Sequence, residues 1–235
     1  VTFSGALYAK DLTYTSASFL YGVSAGEKVI IEEGSLLTYD ATVFDAEFGR
    51  VCGPEPDAIK PIANFKFDEK EYADVSGEVK DSIGTFHSRA KFSQPVEGKV
   101  CRAIDLSATG ISDYVVLDEG VLDGRTEFSI SVWAKTAKTG AQSIVSGATS
   151  GSNNELLMWF TNATRFRPYL QNTQNGTLPI SSIAGDTWRH LVWTNGNNQS
   201  CLFIDKVPQG CLNQTTSVLS IQSLILGQEQ DSVGG

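Results

Sequence analysis

The 235-residue chain is poor in charge, in histidine and in long apolar runs. Its 18 Lys and Arg residues are outnumbered by 27 Asp and Glu residues, so the formal net charge is −9. Without a basic stripe that could displace counterions from phosphates, the sequence argues against a nucleic-acid partner. Two His and four Cys, with no CxxC pair, cannot build a zinc-site spacing. No apolar window is long enough to predict a membrane span.

The four cysteines are Cys52, Cys101, Cys201 and Cys211. An even count in an acidic chain rich in Ser, Thr, Asn and Gly favours disulfides and therefore an extracellular or cell-surface location. Three pairings are possible, and four reduced thiols are the alternative. We favour Cys201–Cys211, because a turn near Asp205 would place these cysteines opposite each other on adjacent strands, and consequently Cys52–Cys101.

Residues 1–51 contain short apolar runs separated by Gly, Ser and Asp, with no helical period. Short strands in rapid succession predict the end of a β-solenoid, and a small hairpin subdomain is the alternative. Because so few rungs are marginally stable alone, we expect further rungs before Val1. Residues 52–62 carry three prolines and predict a stiff linker.

Residues 63–235 contain about ten strand-like runs with turn signals between them. In the run FSISVWAK, the residues Phe128, Ile130, Val132 and Ala134 alternate with polar residues, while Trp133 lies on the opposite face. This pattern predicts an all-β fold in which two antiparallel sheets pack face to face as a jelly-roll sandwich.

Three stretches of this region resemble the laminin-G/pentraxin branch of the concanavalin A-like sandwiches: LGQEQDSVGG, SNNELLMWF and WRHLVWTN. The first is nearly the calcium-loop signature of the pentraxins. Asn153 stands where that family has Asp, and Val192 stands where it has Cys. The family continues past the position of Gly235, so we expect the sandwich to be truncated at its C-terminus. The solenoid-like start, the VCG linker and KVCRAIDLS also resemble the MshQ-like proteins associated with the mannose-sensitive haemagglutinin pilus.

The stretch from Glu229 to Asp231 carries the oxygen ligands that calcium prefers, namely carboxylates and carbonyls. Glu229 and Asp231 project to the same side of an extended segment, whereas the side chain of Gln230 points away and leaves its main-chain carbonyl available. The resemblance implies that Asn153 and Asn154 complete the site from a neighbouring loop. Glycines such as Gly227 would let the backbone turn around the ion. A plain polar turn at a sheet edge is the alternative interpretation.

The sequence gives little support for an enzymatic function. Glu119, Asp123 and Glu127 lie four apart in a predicted loop, where solvated charge is the simpler interpretation than a glycosidase carboxylate pair. Three tryptophans, Trp159, Trp188 and Trp193, offer either sugar-stacking platforms or core packing, and packing is favoured.

The sequence therefore predicts a non-enzymatic extracellular binding or adhesion module. Calcium would bridge it to a carbohydrate or to an anionic surface ligand. The alternatives are a structural or protein–protein assembly domain of a pilus-associated or surface filament protein and, less favoured, a polysaccharide hydrolase.

Overall fold

The structure is a computed structural model that describes five strands within residues 2–38 and, in full, residues 61–107, 113–214 and 217–230. The chain divides into two compact units, Val1–Ile59 and Lys60–Gly235. The proposed linker, residues 52–62, lies almost entirely outside the described residues, so its boundaries stay a prediction. Strands dominate the described part of the chain, which contains no α-helix.

The first unit contains a ladder of parallel strands. Its strands are β1 (Thr2–Tyr8), β2 (Asp11–Tyr14), β3 (Phe19–Ala25), β4 (Lys28–Ile31) and β5 (Leu36–Thr38). Thr2 pairs with Phe19 and Phe19 pairs with Leu36, a step of 17 residues each time, and Asp11 pairs with Lys28 at the same step. Parallel pairing at a constant step is the arrangement of a β-solenoid, in which each repeat contacts its neighbours.

The second unit is a sandwich of antiparallel sheets. The larger sheet has the order β14-β13-β12-β11-β18-β9-β6 and the smaller has the order β10-β15-β16-β17. The larger comprises β6 (Arg89–Lys91), β9 (Tyr114–Leu117), β11 (Gln142–Thr149), β12 (Ser152–Asn162), β13 (Arg165–Leu170), β14 (Leu178–Pro179) and β18 (Ser223–Leu226). The smaller comprises β10 (Phe128–Ala134), β15 (Arg189–Gly196), β16 (Gln199–Ile204) and β17 (Val207–Asn213). A separate hairpin joins β7 (Gln94–Glu97) to β8 (Arg102–Asp105).

One hydrophobic core lies between the two sheets, so the predicted all-β sandwich is confirmed. Trp193 is fully buried at its centre, where its indole lies edge-on to Phe128 and Phe166. Its Nε1 donates to Ser200 Oγ at 2.6 Å, which satisfies the polar atom that burial would otherwise leave unpaired. The predicted inward positions of β10 pack against this core as well: Phe128, Ile130, Val132 and Ala134.

The predicted hairpin disulfide is present. Cys201 on β16 and Cys211 on β17 are paired directly, with Cα atoms 4.0 Å apart and a disulfide between them. The turn that brings them together is at Asp205 and Lys206, both of which have positive φ. Cys101 is exposed and free of a partner among the described residues. Cys52 lies outside them, so the Cys52–Cys101 pairing stays a prediction.

Candidate functional site

The larger sheet turns a second, outward face away from the core, and the strand register shows which residues form it. Residues directly opposite on antiparallel strands share a face. Gly147 lies opposite Leu156 and Leu224, which belong to the core. Ser146, the residue before Gly147 on β11, lies opposite Leu157 and Ile225. These three residues therefore face outward.

This outward face is covered by the chain that follows β18. At Gly227 the backbone has a φ of +89°, and its N–H donates to the carbonyl of Ile144. A Cβ at this position would lie 2.3 Å from Leu106 Cδ1, so the turn requires glycine, as the sequence predicted. The chain then reverses, and residues 227–230, which we call the return segment, run back over β11 and β18.

Gln230 anchors the return segment. Its side-chain Nε2 donates to the carbonyls of Ser146 and Ser223 at 2.9 and 3.1 Å, and its Oε1 accepts from Ser223 Oγ at 2.8 Å. Its backbone N–H donates to Ser146 Oγ at 3.3 Å. Gln230 is only 2% exposed. Its side chain is therefore turned into the protein.

Asn153 and Asn154 are not in a loop, contrary to the expectation, because β12 begins at Ser152 and includes both. In the sequence the strand-like run ELLMWFT begins only at Glu155. The strand begins earlier because Ser152 pairs with Thr149 of β11. Asn154 is held by Asn172, whose side-chain Oδ1 accepts from the N–H of Asn154 and whose N–H donates to the carbonyl of Asn154.

The start of β12 and the return segment lie on either side of the same stretch of β11. Ser152 pairs with Thr149, and Ser223, which holds Gln230, pairs with the adjacent Ala148. Since neighbouring strands are about 4.8 Å apart, the backbones of β12 and β18 are separated by about 10 Å here. The start of β12 and the return segment therefore lie near the same end of β11.

Two oxygen atoms at the start of β12 are buried without a hydrogen-bond partner: Ser152 Oγ and Asn154 Oδ1. A buried acceptor with no donor is unfavourable, and such an atom calls for a water molecule or an ion. The amide oxygen of Asn154, the half-buried carboxylate of Glu229 and the main-chain carbonyl of Gln230 are all hard oxygen donors. The donor chemistry thus fits calcium better than a metal that prefers nitrogen or sulfur.

Charge at this site comes from few residues. Within residues 61–107, 113–214 and 217–230, no three His, Cys, Asp or Glu side chains form a group that could hold a metal ion. Asp231, the second acid of the predicted ligand set, lies outside the described residues, as do Gly234 and Gly235. A calcium site here would therefore depend on amide and carbonyl oxygens as much as on carboxylates.

The candidate tryptophans have different surroundings. Trp193, on β15 of the smaller sheet, belongs to the core, as favoured above. Trp159, however, lies opposite Ser143 and Arg167 and faces outward, half-exposed, on the same face as Ser146. Nearby Tyr169, opposite Leu157, also faces outward and is half-exposed. An open aromatic face beside the return segment can stack against a sugar ring.

The outward face of the smaller sheet carries different side chains from that of the larger sheet. Trp133 is 45% exposed and stacks on His190 with ring centroids 5.0 Å apart, while Lys99 Nζ lies 5.4 Å from the indole centroid. His190 Nε2 is 2.8 Å from Ser131 Oγ, within hydrogen-bond distance. Asp205 accepts from the backbone N–H of His190 and from Arg189, and these bonds hold the pKa of its carboxyl below the ordinary value.

The acids considered for glycoside hydrolysis hold loops together. Asp123 Oδ1 accepts from the backbone N–H of Ile221 at 2.8 Å, and Glu127 Oε1 accepts from that of Asn197 at 3.1 Å. Both are exposed, as the solvated-charge interpretation expected, but their hydrogen bonds fix neighbouring backbone. A structural role accounts for them.

Sequence reasoning missed Ser146 and Ser223. Neither belongs to a motif, and Ser146 lies 84 residues before Gln230. The only local signal was that each interrupts an apolar run, in SIVSGA and in IQSLIL.

Comparison with known proteins gives a family. The family model described as "Pentaxin family" matches residues 106–235, more than half of the chain. Human Pentraxin-4 is 24% identical over 155 residues, which are 61% of this chain and 32% of that protein. The chain thus spans about a third of the length of this curated relative.

One solved structure supports the fold, and a second is less similar. Domain 4 of AbnA, an extracellular arabinanase of family GH43 from Geobacillus stearothermophilus, in complex with arabinotriose, superposes with a TM-score of 0.55 at 17% identity, covering 72% of this chain and 83% of that one. The binding domain of botulinum neurotoxin serotype D/C follows with a TM-score of 0.49 at 11% identity, covering 72% of this chain and 46% of that one. Among the residues described, no helix is long and apolar enough to cross a membrane.

Proposed function

Because the chain belongs to the Pentaxin family, we propose that it is an extracellular or cell-surface binding module that recognises carbohydrate through a calcium ion. The observation that carries the proposal is the buried, unpaired Oδ1 of Asn154 at the start of β12, the strand that pairs with the part of β11 to which Gln230 is bonded. An oxygen in that position is unfavourable in the protein alone and favourable once a cation is bound.

The residues that would hold the ion are those predicted from sequence: Asn153, Asn154, Glu229, Gln230 and Asp231. Asn154 would contribute its amide oxygen, Glu229 its carboxylate and Gln230 its main-chain carbonyl, because its side chain is committed to Ser146 and Ser223. The bound ion would supply open coordination positions for ligand oxygens. Asn153, where the resembling family has Asp, lowers the negative charge of the set and therefore the expected affinity.

The ligand class follows from the surroundings of the site. Trp159 and Tyr169 provide an aromatic surface on the same outward face, which suits the apolar side of a sugar ring. Vicinal hydroxyls would reach the ion, and an anionic group on a surface ligand would do so equally. The arabinotriose complex of AbnA domain 4 supports carbohydrate as the first choice.

The location rests on the disulfide. Cys201–Cys211 would be reduced in a cytosol poised by glutathione, whereas it persists in extracellular surroundings. We therefore assign the protein to the exterior or to the cell surface.

The test replaces Asn154 by Leu. This apolar side chain of similar size removes the unpaired oxygen but leaves the backbone bonds to Asn172 in place. We expect at least a tenfold loss of calcium affinity in isothermal titration, with a melting temperature in EDTA that is unchanged or higher. Asn172→Ala, which removes the side-chain Oδ1 that accepts from the backbone N–H of Asn154, is the matched control and should lower the melting temperature in EDTA. Calcium binding that is equal in wild type and Asn154→Leu would contradict the site.

A second candidate is a structural or assembly domain of a surface or pilus-associated filament. The parallel ladder in residues 2–38 favours it, because such repeats build extended proteins. It predicts a melting temperature indifferent to EDTA and retention of a protein partner instead of a polysaccharide.

A further inference from the structure

Gln230 is unusual among the residues expected at a calcium site, because none of its side-chain polar atoms is available to an ion. Both its Nε2 and its Oε1 are used in hydrogen bonds to Ser146 and Ser223. With 2% of its surface exposed, the side chain lies under the return segment. A residue placed in this way acts on its neighbours through the backbone.

The two serines are also placed unusually for an outward face. Ser146 is 0% exposed, and its Oγ accepts from the N–H of Gln230. Ser223 offers both its hydroxyl and its carbonyl to the same amide group. These contacts join β11, β18 and the return segment at one point, which we call the Gln230 clamp: Gln230, Ser146 and Ser223.

We infer that Gln230 is a positioning residue, which pins the return segment to the outward face of the larger sheet before any ion arrives. The Gln230 clamp holds the carboxylate of Glu229 and the main-chain carbonyl of Gln230 in place. A segment that is already ordered loses little conformational entropy when it binds, so the clamp raises the affinity of the ion that it never touches. The second half of this inference rests on the proposed calcium site, and the first half does not.

The principal variant is Gln230→Met, which keeps the length of the side chain and removes its three side-chain hydrogen bonds, while the backbone N–H can still donate to Ser146 Oγ. Ser223→Ala is a milder second variant that deletes one hydroxyl. The matched control is Ser200→Ala, since Ser200 is as buried as Ser146 but serves Trp193 in the smaller sheet. All are made in the full 235-residue chain.

Two measurements test separately whether the Gln230 clamp holds the return segment and whether it raises calcium affinity. In EDTA, amide hydrogen exchange of residues 223–230 should be about tenfold faster in Gln230→Met than in wild type, with Ser223→Ala between them and Ser200→Ala unchanged. In isothermal titration with calcium alone, the dissociation constant should rise about tenfold in Gln230→Met and stay constant in Ser200→Ala.

Each outcome decides something. Exchange that is equal in Gln230→Met and wild type overturns the clamp, whatever calcium does. Faster exchange with an unchanged calcium affinity overturns the positioning role. If the wild type binds no calcium, the proposed function fails, and the exchange experiment still decides whether the clamp holds the segment.

Discussion

The two sheets of the sandwich differ in how their outward faces are finished. On the larger sheet, Ser146, Leu157 and Ile225 point away from the core and are nonetheless buried, at 5% exposure or less. On the smaller sheet, Trp133 lies open beside His190, and a disulfide joins neighbouring strands.

The two sheets thus show two ways of stabilising an outward face. The smaller sheet is stabilised by contacts between adjacent strands, which need no further chain. The larger sheet instead keeps a polar segment on its surface through hydrogen bonds to residues far away in sequence. Such an arrangement leaves acceptors and carboxylates in defined positions, which a binding site requires.

The largest effect is expected for Gly227→Ala. A side chain here meets both the positive φ and the Leu106 overlap, so we expect a loss of about 3 kcal/mol in the free energy of unfolding. Denaturant unfolding measures it. Gly151→Ala is the control, because its φ is +86° but no atom lies within 4 Å, and it should lose only about 1 kcal/mol. Equal losses would show that the Leu106 contact is unimportant.

Removal of the disulfide acts on the other sheet. The double variant Cys201→Ser, Cys211→Ser opens a link with a sequence separation of 10 and should lose about 2–3 kcal/mol of stability. Calcium affinity should not change, because the disulfide and the return segment lie on different sheets. Thermal unfolding and calcium titration check the two parts, and a fall in affinity would mean that the two faces are coupled.

Replacing one tryptophan on each sheet tests which outward face binds the ligand. Trp159→Ala should weaken calcium-dependent retention on immobilised polysaccharides by about tenfold, since one aromatic stacking contact is lost. Trp133→Ala should leave retention unchanged. If Trp133→Ala has the greater effect, the ligand surface is on the smaller sheet.

Acid should affect the smaller sheet slightly. The backbone N–H of His190 and the guanidinium of Arg189 hold the pKa of Asp205 below its usual 3.8, so their contribution to stability is present above that pH and is lost as the pH falls through the folded-state pKa. Because Asp205 is partly exposed, the effect is small. The melting temperature of Asp205→Asn should therefore fall less than that of wild type between pH 5 and pH 3. A parallel fall in both would exclude Asp205 as a source of acid sensitivity.

Local sequence patterns predicted the parts of the molecule that depend on neighbouring residues. The alternation in FSISVWAK placed Phe128 and Ile130 in the core, and the distance between Cys201 and Cys211 predicted their hairpin. The need for glycine at Gly227 was predicted in the same way. Each depends on strand geometry or on one turn.

Features that depend on long-range register were not predicted. The burial of Ser146 follows from its hydrogen bonds with Gln230, and the start of β12 at Ser152 follows from the pairing of Ser152 with Thr149. The 17-residue step is weak in the sequence, because only a few equivalent positions are identical, such as Gly5 with Gly22 and Leu20 with Leu37.

The constant step of the parallel ladder bears on how this region can change in length. Since every described rung pairs with the chain 17 residues further on, inserting or deleting one such unit shifts all later strands by a whole rung. In-frame duplication of a 51-nucleotide stretch would accordingly lengthen the ladder without disturbing its pairing, whereas any other length would misalign it. A change in the number of rungs should therefore be tolerated most easily, and the ladders of relatives should differ in length by multiples of 17 residues.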